Sequence, residues 1–557
     1  MSKEISALQK ARAAYTPKLP RALRGGSIAV ELGEPSHPAT DRDEIKRLFP
    51  NTYGQPVAKI VEGEGKLSSG TLKVGVVLSG GQAPGGHNVI AGLFDALKLA
   101  NKDSKLFGFL KGPGGIIKGK YRELTADIID AYRNTGGFDM IMSGRGKIER
   151  PEELAACEAN FADMNLDGLV IIGGDDSNTN AAVLAEYLRA RSSRTVVIGV
   201  PKTIDGDMKN EQIEASFGFD TAAKTYSELA GNICRDATSA VKYWHFIRLM
   251  GRAASHVTLE CALQTHPNVT LVSEEIQAKG TTLGEIVDYI TDVVCKRAAA
   301  HKNYGILVVP EGLPEFISDI KAMVDEMSVI LAVERNYIEG LKDRSERVQY
   351  FSNALSDHSA RVYGSLPGDI QEVLLVRDSH DNVPWSQVET ERLLIDLVSD
   401  KIKLMEEHGE TQAKFSPLAH FFGYEGRCAA PSNFDADYTY SLGHAAAQLV
   451  RAQLTGYTVN VQNLTRSSDE WVAGGTPVTM MLNMEMRKGK PTPVIKKALV
   501  DLDGAPFACF AANRDSWATN DEYVFPGPIQ YFGPTEVCDA PTITLALEKS
   551  GGCGCST

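Results

Sequence analysis

The chain has 557 residues, with 58 lysines and arginines, 71 aspartates and glutamates, and a formal net charge of −13. This length exceeds what one hydrophobic core usually fills, so we expect two domains or one domain with large insertions. The acidic balance argues against nucleic acid or an anionic membrane as the main partner, since both attract positive surfaces. Any cationic contacts to phosphate must therefore be local.

The first 70 residues are predicted to form an N-terminal extension. Apolar residues at helical spacing near its start suit a short amphipathic helix, namely Ile5, Leu8, Ala11 and Tyr15. Prolines from Pro17 to Pro50 disfavour long regular elements, and a turn-rich junction follows at residues 63–70. We therefore expect the sheet to begin after this extension.

Cysteine use and hydropathy indicate a cytoplasmic protein. The nine cysteines stand alone or in apolar runs, as in reduced cytosolic proteins. Cys553 and Cys555 could bind metal or form a redox pair, but a frayed tail is the favoured interpretation. There is no N-terminal apolar signal core, and no apolar run is long enough to cross a bilayer. We expect no membrane partner.

Three predicted strands each lead into a loop suited to phosphate. Residues 73–78 run into a glycine loop at 79–88 and then a helical pattern. Residues 168–172 run into Gly173, Gly174 and the adjacent carboxylates of Asp175 and Asp176. Glycines allow backbone N–H groups to approach phosphate, and one carboxylate can hold a hard cation. The second carboxylate must exclude a wrong ligand or be offset by a cation.

The third strand, residues 195–200, leads into a turn that carries Lys202, Asp205 and Asp207. Further strands are predicted at 138–142, 245–250, 269–272 and 305–309, with helical patterns between them. This alternation predicts an α/β fold with doubly wound parallel sheets. Because open α/β sheets bind ligands at the carboxyl ends of their strands, we expect the three loops to converge there.

The predicted organisation has four parts. Residues 1–70 are the extension, and 71–216 form a first sheet domain that segments after about 426 complete. Residues 217–425 form a second domain with a helix-rich insertion at about 315–415. Residues 426–557 contain returning and C-terminal elements. We detect no internal repeat or low-complexity segment.

Six motifs in order resemble the phosphofructokinase family, specifically its long-chain, pyrophosphate-dependent branch. Besides the three loops above, the motifs are Met250-Gly251-Arg252, Pro310-Glu311-Gly312 and Tyr424-Glu425-Gly426-Arg427. Each motif alone is a weak signal, because glycine loops are often only tight turns. Their joint order, over about residues 73–427, is a strong one.

The resemblance implies two doubly wound, Rossmann-like parallel-sheet domains. Residues 71–216 would bind the donor and the metal, and residues 217–425 would bind fructose 6-phosphate. It also implies a glycolytic, Mg²⁺-dependent and reversible reaction, in which pyrophosphate phosphorylates the 1-hydroxyl of fructose 6-phosphate. Fructose 1,6-bisphosphate and phosphate are the products. Such transfer depends on positioning and on neutralising charge around the transferred group.

The resemblance also implies roles at the donor end. Gly81 and Arg145 match donor-binding positions, and Asp175 matches the Mg²⁺ carboxylate. Asp205 matches the general base that takes the proton of the sugar hydroxyl. Asp207 either orients Asp205 or the cation, or is a solvated turn aspartate.

At the sugar end, Arg252 matches a residue that grips the sugar and the phosphoryl group, a use suited to a planar cation. Glu311 matches an acceptor for sugar hydroxyls. Further substrate-binding positions are matched by Thr203, Met250, Gly251, and, at the 6-phosphate, Tyr424 and Arg427. Lys242 and Tyr243 resemble positions that reach this phosphate from a neighbouring subunit, which implies a homodimer or higher oligomer with shared active sites. His420 stands near a family interface position and is left unassigned.

The donor is inferred from Asp176 and Lys202, because ATP-dependent relatives have glycine at both positions. Asp176 would fill the space of the ATP α-phosphate with negative charge, and Lys202 would bind pyrophosphate; both are counted among the catalytic residues. An ATP-dependent 6-phosphofructokinase and a non-catalytic regulatory subunit on the same fold remain alternatives. The glycine spacing disfavours a P-loop kinase and a dinucleotide oxidoreductase.

Overall fold

The computed structural model describes residues 7–25, 27–64, 67–341, 343–376, 383–487, 490–528 and 539–550. The chain divides into two compact units. Unit 1 comprises Met1–Thr225, Tyr424–Ala498 and Ile529–Lys549, and unit 2 comprises Tyr226–Gly423, Leu499–Pro528 and Ser550–Thr557. The segment after residue 426 thus contributes to both units. Ile5, Cys553 and Cys555 lie outside the described residues.

The strands of the described residues follow in chain order: β1 (Ile28–Pro35), β2 (Pro56–Glu62), β3 (Lys73–Ser79), β4 (Lys105–Phe109), β5 (Tyr121–Glu123), β6 (Ser143–Gly144), β7 (Gly168–Gly173), β8 (Val196–Thr203), β9 (Phe217–Gly218), β10 (Trp244–Leu249), β11 (Val269–Thr270), β12 (Gly305–Pro310), β13 (Pro417–Phe422), β14 (Tyr457–Gln462), β15 (Val472–Pro477), β16 (Leu482–Arg487) and β17 (Lys490–Ile495).

The α-helices are α1 (Ala7–Ala13), α2 (Arg21–Arg24), α3 (Arg42–Leu48), α4 (Gly86–Ala100), α5 (Pro113–Ile117), α6 (Ala126–Tyr132), α7 (Pro151–Met164), α8 (Asp175–Ala190), α9 (Phe219–Ala240), α10 (His256–Thr265), α11 (Ser273–Lys279), α12 (Leu283–Ala299), α13 (Ser318–Gly340), α14 (Arg344–Ala354), α15 (Asp357–Ser365), α16 (Gly368–Val373), α17 (Thr390–Glu407), α18 (Tyr424–Arg427), α19 (Asn433–Arg451), α20 (Ala505–Thr519) and α21 (Ile543–Ser550). In the described ranges, no helix is long and apolar enough to span a membrane.

Unit 1 is built on a sheet whose central strands run parallel in the order β14, β8, β7, β3, β4. Antiparallel strands extend both edges, with β15, β2 and β1 on one side and β5 on the other. The chain moves from β3 outward to β4 and returns to β7 on the other side of β3. The topological switch point therefore lies between β3 and β7, where open α/β sheets bind their ligands.

The central strands of unit 1 are buried on both faces, which explains their continuous apolar runs. On one face, Leu169 of β7 packs with Phe161 of α7 and Leu184 of α8. Neighbouring residues on a strand point to opposite faces, and a Cβ on Gly168 would lie 2.7 Å from Val450 of α19. Helices thus cover both faces and leave the strand ends for the loops.

Unit 2 has a four-stranded parallel sheet in the order β11, β12, β10, β13. Trp244 and Phe246 of β10 share a core with Ile290 of α12 and Leu394 of α17. Between β12 and β13 the described residues form helices α13 to α17 and two short 3₁₀ turns, with no strand. The helix-rich stretch expected at about 315–415 lies in this connection.

Two expectations about local structure are wrong. Residues 138–142 form turns rather than a strand, and the short strand that follows is β6. Phe138 and Ile141 are buried, so the apolar run there reflects a packed turn. The sheet also begins within the N-terminal extension, because β1 pairs with β2 and β2 pairs with β15. Pro35 and Pro56 stand at the strand ends, where proline is tolerated.

Candidate functional site

The loop after β3 is held against β6. Gly80 has a left-handed φ of 83°, and its N–H donates to the carbonyl oxygen of Gly144 at 2.9 Å. The Ser143 hydroxyl donates to the carbonyl oxygen of Gly80 at 2.6 Å. These bonds place the exposed Arg145 next to the glycine loop. A Cβ on Gly81 would lie 2.4 Å from Arg427 Nη1, so the absence of a side chain lets this guanidinium approach the backbone.

The end of β7 leads directly into α8, whose first residue is Asp175. Asn178 Nδ2 donates to the carbonyl oxygens of Gly173 and Gly174, at 2.7 Å and 3.0 Å. The hydroxyl of Ser177 donates to that of Ser79 at 2.8 Å and joins this turn to the β3 loop. The amino end of a long helix thus lies beside the switch point, an arrangement that favours anions.

Lys202 is the centre of the cluster in unit 1. Its side chain is buried, with only 5% of the residue exposed. Burial, together with the nearby charge of Arg427, lowers the pKa of Lys202 to about 8, although Asp205, Asp175 and Asp207 oppose this fall. The structure therefore brings together, within electrostatic range, three of the predicted carboxylates and the predicted lysine.

Asp207 is the most buried carboxylate of this cluster. Burial, with the nearby charge of Asp205, raises the pKa of Asp207 to about 7, and Lys497 opposes this rise. Lys497 Nζ lies 3.8 Å from Asp207 Oδ2 and also 3.8 Å from Asp175 Oδ2. A fully solvated turn aspartate is therefore not what the structure shows at position 207.

Asp205 has a carboxylate oxygen with no hydrogen-bond partner among the described residues. Its backbone N–H donates to Thr203 Oγ1 at 3.0 Å, which shapes the turn after β8. Its Oδ1 is buried and accepts no hydrogen bond within the described part of the chain, and Arg427 Nη2 is 3.9 Å away. A buried acceptor without a donor is rare and calls for a ligand or a role in chemistry.

Asp176 belongs to a different set of charges from Lys202. Arg487 Nη1 lies 2.9 Å from Asp176 Oδ1, and Lys147 Nζ lies 3.3 Å from the same oxygen. Burial opposes ionisation, but these two cations outweigh it and hold the pKa of Asp176 below its ordinary value. The side chain is half exposed, so it lies at the mouth of the cluster.

Arg427 and Tyr424 lie on the short helix α18 of unit 1. Arg427 Nη1 donates to the carbonyl oxygen of Gln82 at 3.1 Å, so the structure sets this arginine between the glycine loop and Asp205. Tyr424 is 62% exposed. Its ring is therefore accessible to a ligand.

In unit 2, the carboxyl ends of β10 and β12 bring the next two motifs together. The N–H of Gly251, whose φ is 138°, donates to Glu311 Oε1 at 3.4 Å. A Cβ on Gly312 would lie 2.0 Å from the carbonyl oxygen of Arg252. Met250 and Glu311 are buried, whereas Arg252 is exposed.

Lys242 and Tyr243 lie at the other end of β10. The Lys242 Nζ is 4.9 Å from the centroid of the Tyr243 ring, a cation–π contact. At about 3.3 Å per strand residue, about 23 Å of extended chain separates Tyr243 from Met250. The structure does not bring these two residues to the Met250–Arg252 loop of the same chain.

Comparison with known proteins decides the family. Residues 73–364 match the family model described as Phosphofructokinase. The chain belongs to the phosphofructokinase family. It is 54% identical to a protein of Porphyromonas gingivalis over 98% of this chain and 99% of that protein, and 52% identical to one of Treponema pallidum over 98% and 97%. Both are named pyrophosphate–fructose 6-phosphate 1-phosphotransferase.

The fold is also that of a solved phosphofructokinase. The pyrophosphate-dependent phosphofructokinase of Marinobacter aquaeolei has a TM-score of 0.54 and 14% sequence identity, with 83% of this chain and 98% of that one covered. The α/β fold class and the family resemblance inferred from the motifs are thereby confirmed.

Three cations of this phosphofructokinase site were not predicted from the sequence: Lys147, Arg487 and Lys497. Lys147 stands two residues after Arg145, and its position on the same loop was an available signal. Arg487 ends β16 and Lys497 follows β17, both far in sequence from the glycine loops. No glycine or strand pattern marks them.

The carboxylate oxygens of unit 1 suit a hard divalent cation that is bound together with phosphate. No group of three or more histidine, cysteine, aspartate or glutamate side chains in the described ranges could hold a metal ion by itself. Asp175 and Asp207 nevertheless both approach one cation, Lys497, through a carboxylate oxygen. Hard divalent cations are commonly held by one or two carboxylates together with water and substrate phosphates, and this pair offers the two carboxylates.

Proposed function

We propose that the chain transfers a phosphoryl group reversibly from pyrophosphate to the 1-hydroxyl of fructose 6-phosphate. The products are fructose 1,6-bisphosphate and phosphate. The observation that carries the proposal is the buried Lys202 among Asp175, Asp205 and Asp207 at the switch point. A lysine at this place supplies positive charge for a short inorganic donor. The full-length relatives named for this reaction support the same conclusion.

The donor is bound by unit 1. The backbone at Gly81 offers N–H groups to the pyrophosphate oxygens, and the side chains of Arg145 and Lys202 offer positive charge. Asp175, assisted by Asp207, would hold a magnesium ion, which would supply positive charge to the phosphate oxygens.

Asp205 acts as the general base. Its Oδ1 lacks a hydrogen-bond donor from the described residues. This atom takes the proton of the sugar 1-hydroxyl as the hydroxyl oxygen attacks phosphorus. The P–O bond to the leaving phosphate breaks as the new one forms. Thr203 fixes the turn that carries Asp205. Lys202 stabilises the charge that develops on the leaving phosphate.

Six residues bind the sugar phosphate, two of them from a neighbouring subunit. Glu311 accepts hydrogen bonds from hydroxyls, Arg252 pairs with oxygens of the transferred group, and Tyr424 and Arg427 contact the 6-phosphate. Lys242 and Tyr243 lie at the far end of β10 and serve the site of a second copy. The active species is thus a homodimer or a higher oligomer, and it acts in the cytoplasm.

The decisive experiment measures initial rates with each donor. Purified protein is given fructose 6-phosphate with pyrophosphate or with ATP, in the presence of Mg²⁺ or of a chelator, and fructose 1,6-bisphosphate is quantified. We expect turnover with pyrophosphate and Mg²⁺ only. Preference for ATP would contradict the donor assignment. Absence of turnover with both donors, in a folded protein, would indicate the non-catalytic subunit.

A further inference from the structure

A buried ion pair joins the helical insertion to the strand that carries the Met250–Arg252 loop. Arg248 is on β10, two residues before Met250, and its Nε lies 2.6 Å from Glu391 Oε2 in the first turn of α17. The two side chains are only 6% and 3% exposed. A buried charge that loses its partner is strongly unfavourable. This pair therefore ties the start of α17 to the end of β10.

Arg248 makes two further contacts within unit 2. Its Nη1 donates to the carbonyl oxygen of Val388, at 3.2 Å, just before α17. Its guanidinium lies 4.1 Å from the centroid of the Phe421 ring on β13. One side chain thus connects the insertion, β10 and β13, and its planar group is held on several sides.

The same turn of α17 also contacts Glu311. Thr390, which is almost fully buried, donates from Oγ1 to the carbonyl oxygen of Glu311 through a long hydrogen bond of 3.5 Å. The carboxylate of Glu311 in turn accepts the N–H of Gly251. Adjacent residues of the insertion, Thr390 and Glu391, therefore contact the ends of both strands that carry the sugar-binding motifs.

Packing alone does not require a charge at position 248. Strand alternation places Trp244 and Phe246 on the same face of β10 as Arg248, and both belong to an apolar core with Leu393 and Leu394 of α17. An apolar side chain would continue this core. Replacing a buried ion pair with apolar groups is often neutral or stabilising, so stability alone does not account for this pair.

We propose that Arg248, Thr390 and Glu391 are positioning residues for fructose 6-phosphate. They hold the first turn of α17 so that the ends of β10 and β12 keep Gly251 and Glu311 in binding geometry. The long insertion then has a function in sugar binding. This role rests on the proposed function and adds residues to it.

The test compares KM values for the two substrates. Glu391→Gln removes the buried negative charge that faces Arg248. We expect KM for fructose 6-phosphate to rise at least about fivefold, with KM for pyrophosphate within about twofold of wild type. Arg248→Lys keeps the charge and should raise this KM less than Arg248→Met does. The matched control is Glu389→Gln, because Glu389 pairs with Arg392 at 3.1 Å on the surface of the same turn. It should leave both constants unchanged.

The double variant Arg248→Met/Glu391→Leu keeps the proposal testable if Glu391→Gln does not fold. It removes both charges and continues the apolar core, so it should be folded and should still show the raised sugar KM. The proposal is overturned if folded variants keep this KM within about twofold of wild type, or raise both KM values equally. Should the wild type lack turnover, the proposed function fails by itself. Calorimetric affinity for fructose 6-phosphate in the same variants then decides the positioning role.

Discussion

The candidate sites of the two units are organised by different forces. In unit 1, carboxylates and cations crowd around the strand ends, with Lys202, Arg427 and Lys497 facing Asp175, Asp205 and Asp207. In unit 2, the loop after β10 is shaped by backbone contacts, since Gly251 donates to Glu311 and Gly312 lies against a carbonyl oxygen. The buried ion pair next to this loop joins Glu391 to Arg248 of β10, two residues before Met250.

This difference corresponds to the two substrates. Pyrophosphate is small and densely charged, so its affinity must come from cations, N–H groups and a metal. A sugar offers neutral hydroxyls, which are recognised by well-placed acceptors such as Glu311. Substitutions around Lys202 should therefore alter chemistry and donor use, and substitutions at Gly251 and Glu311 should alter sugar affinity.

The largest expected effect is that of Asp205→Asn. The amide keeps the shape of the side chain and loses the base, so kcat should fall by about 10²–10⁴-fold while KM for fructose 6-phosphate stays nearly unchanged. Steady-state and single-turnover rates would be measured together. A variant that keeps more than about a tenth of the wild-type turnover, with chemistry rate-limiting, would show that another group is the base.

The next effect concerns donor choice. Lys202→Gly should lower kcat/KM for pyrophosphate by about two orders of magnitude, because three carboxylates then face the donor without their central cation. Asp176→Gly should raise kcat/KM for ATP from a very low level, and the double variant should shift the ratio further and non-additively. Both donors would be assayed in all four proteins. If the ratio in the double variant stays within about threefold of wild type, these side chains do not select the donor.

Most of the donor end could be predicted from the sequence because its signals are local. A buried strand followed by glycines and carboxylates marks Gly81, Asp175 and Lys202, and parallel pairing of β3, β7 and β8 brings their ends together. The contact between Arg427 and the glycine loop, by contrast, joins residues more than 300 positions apart in the chain. Only the folded sheet determines such a neighbour.

The residues that escaped prediction lack a local pattern. Arg487 stands at the end of β16 in a hairpin whose sequence resembles any exposed strand pair, and its role depends on reaching Asp176. The prediction of a strand at residues 138–142 was wrong for the opposite reason. Its apolar residues are buried by tertiary packing, which imitates the pattern of a strand.

Shared active sites can be tested by mixing two impaired variants. Lys242→Ala should raise KM for fructose 6-phosphate about tenfold, since a phosphate contact from the neighbouring subunit is lost. If it is mixed with Asp205→Asn and the subunits are exchanged, each mixed dimer has one intact site. At low fructose 6-phosphate, activity should recover to about a quarter of the wild-type value, because about half of the dimers are mixed. Fully active monomers in sedimentation, or no recovery after proven exchange, would refute sharing.

The smallest expected effect concerns Arg487, and it sharpens the account of Asp176. Because Arg487 and Lys147 partly neutralise Asp176, the exclusion of ATP cannot rest on a bare negative charge. Arg487→Gln should raise KM for pyrophosphate about threefold to tenfold, as a half-exposed cation near the donor is lost, and KM for fructose 6-phosphate should not change. Arg466→Gln is the matched control, since Arg466 pairs with Glu470 at 3.5 Å on the surface of the same unit.

If ATP use rises in Arg487→Gln while KM for pyrophosphate is unchanged, Arg487 orients Asp176 for exclusion and does not bind the donor. If neither constant changes, Arg487 forms only a surface ion pair with Asp176. The cations of unit 1 that act on the donor are then Lys202 and Lys497, without Arg487.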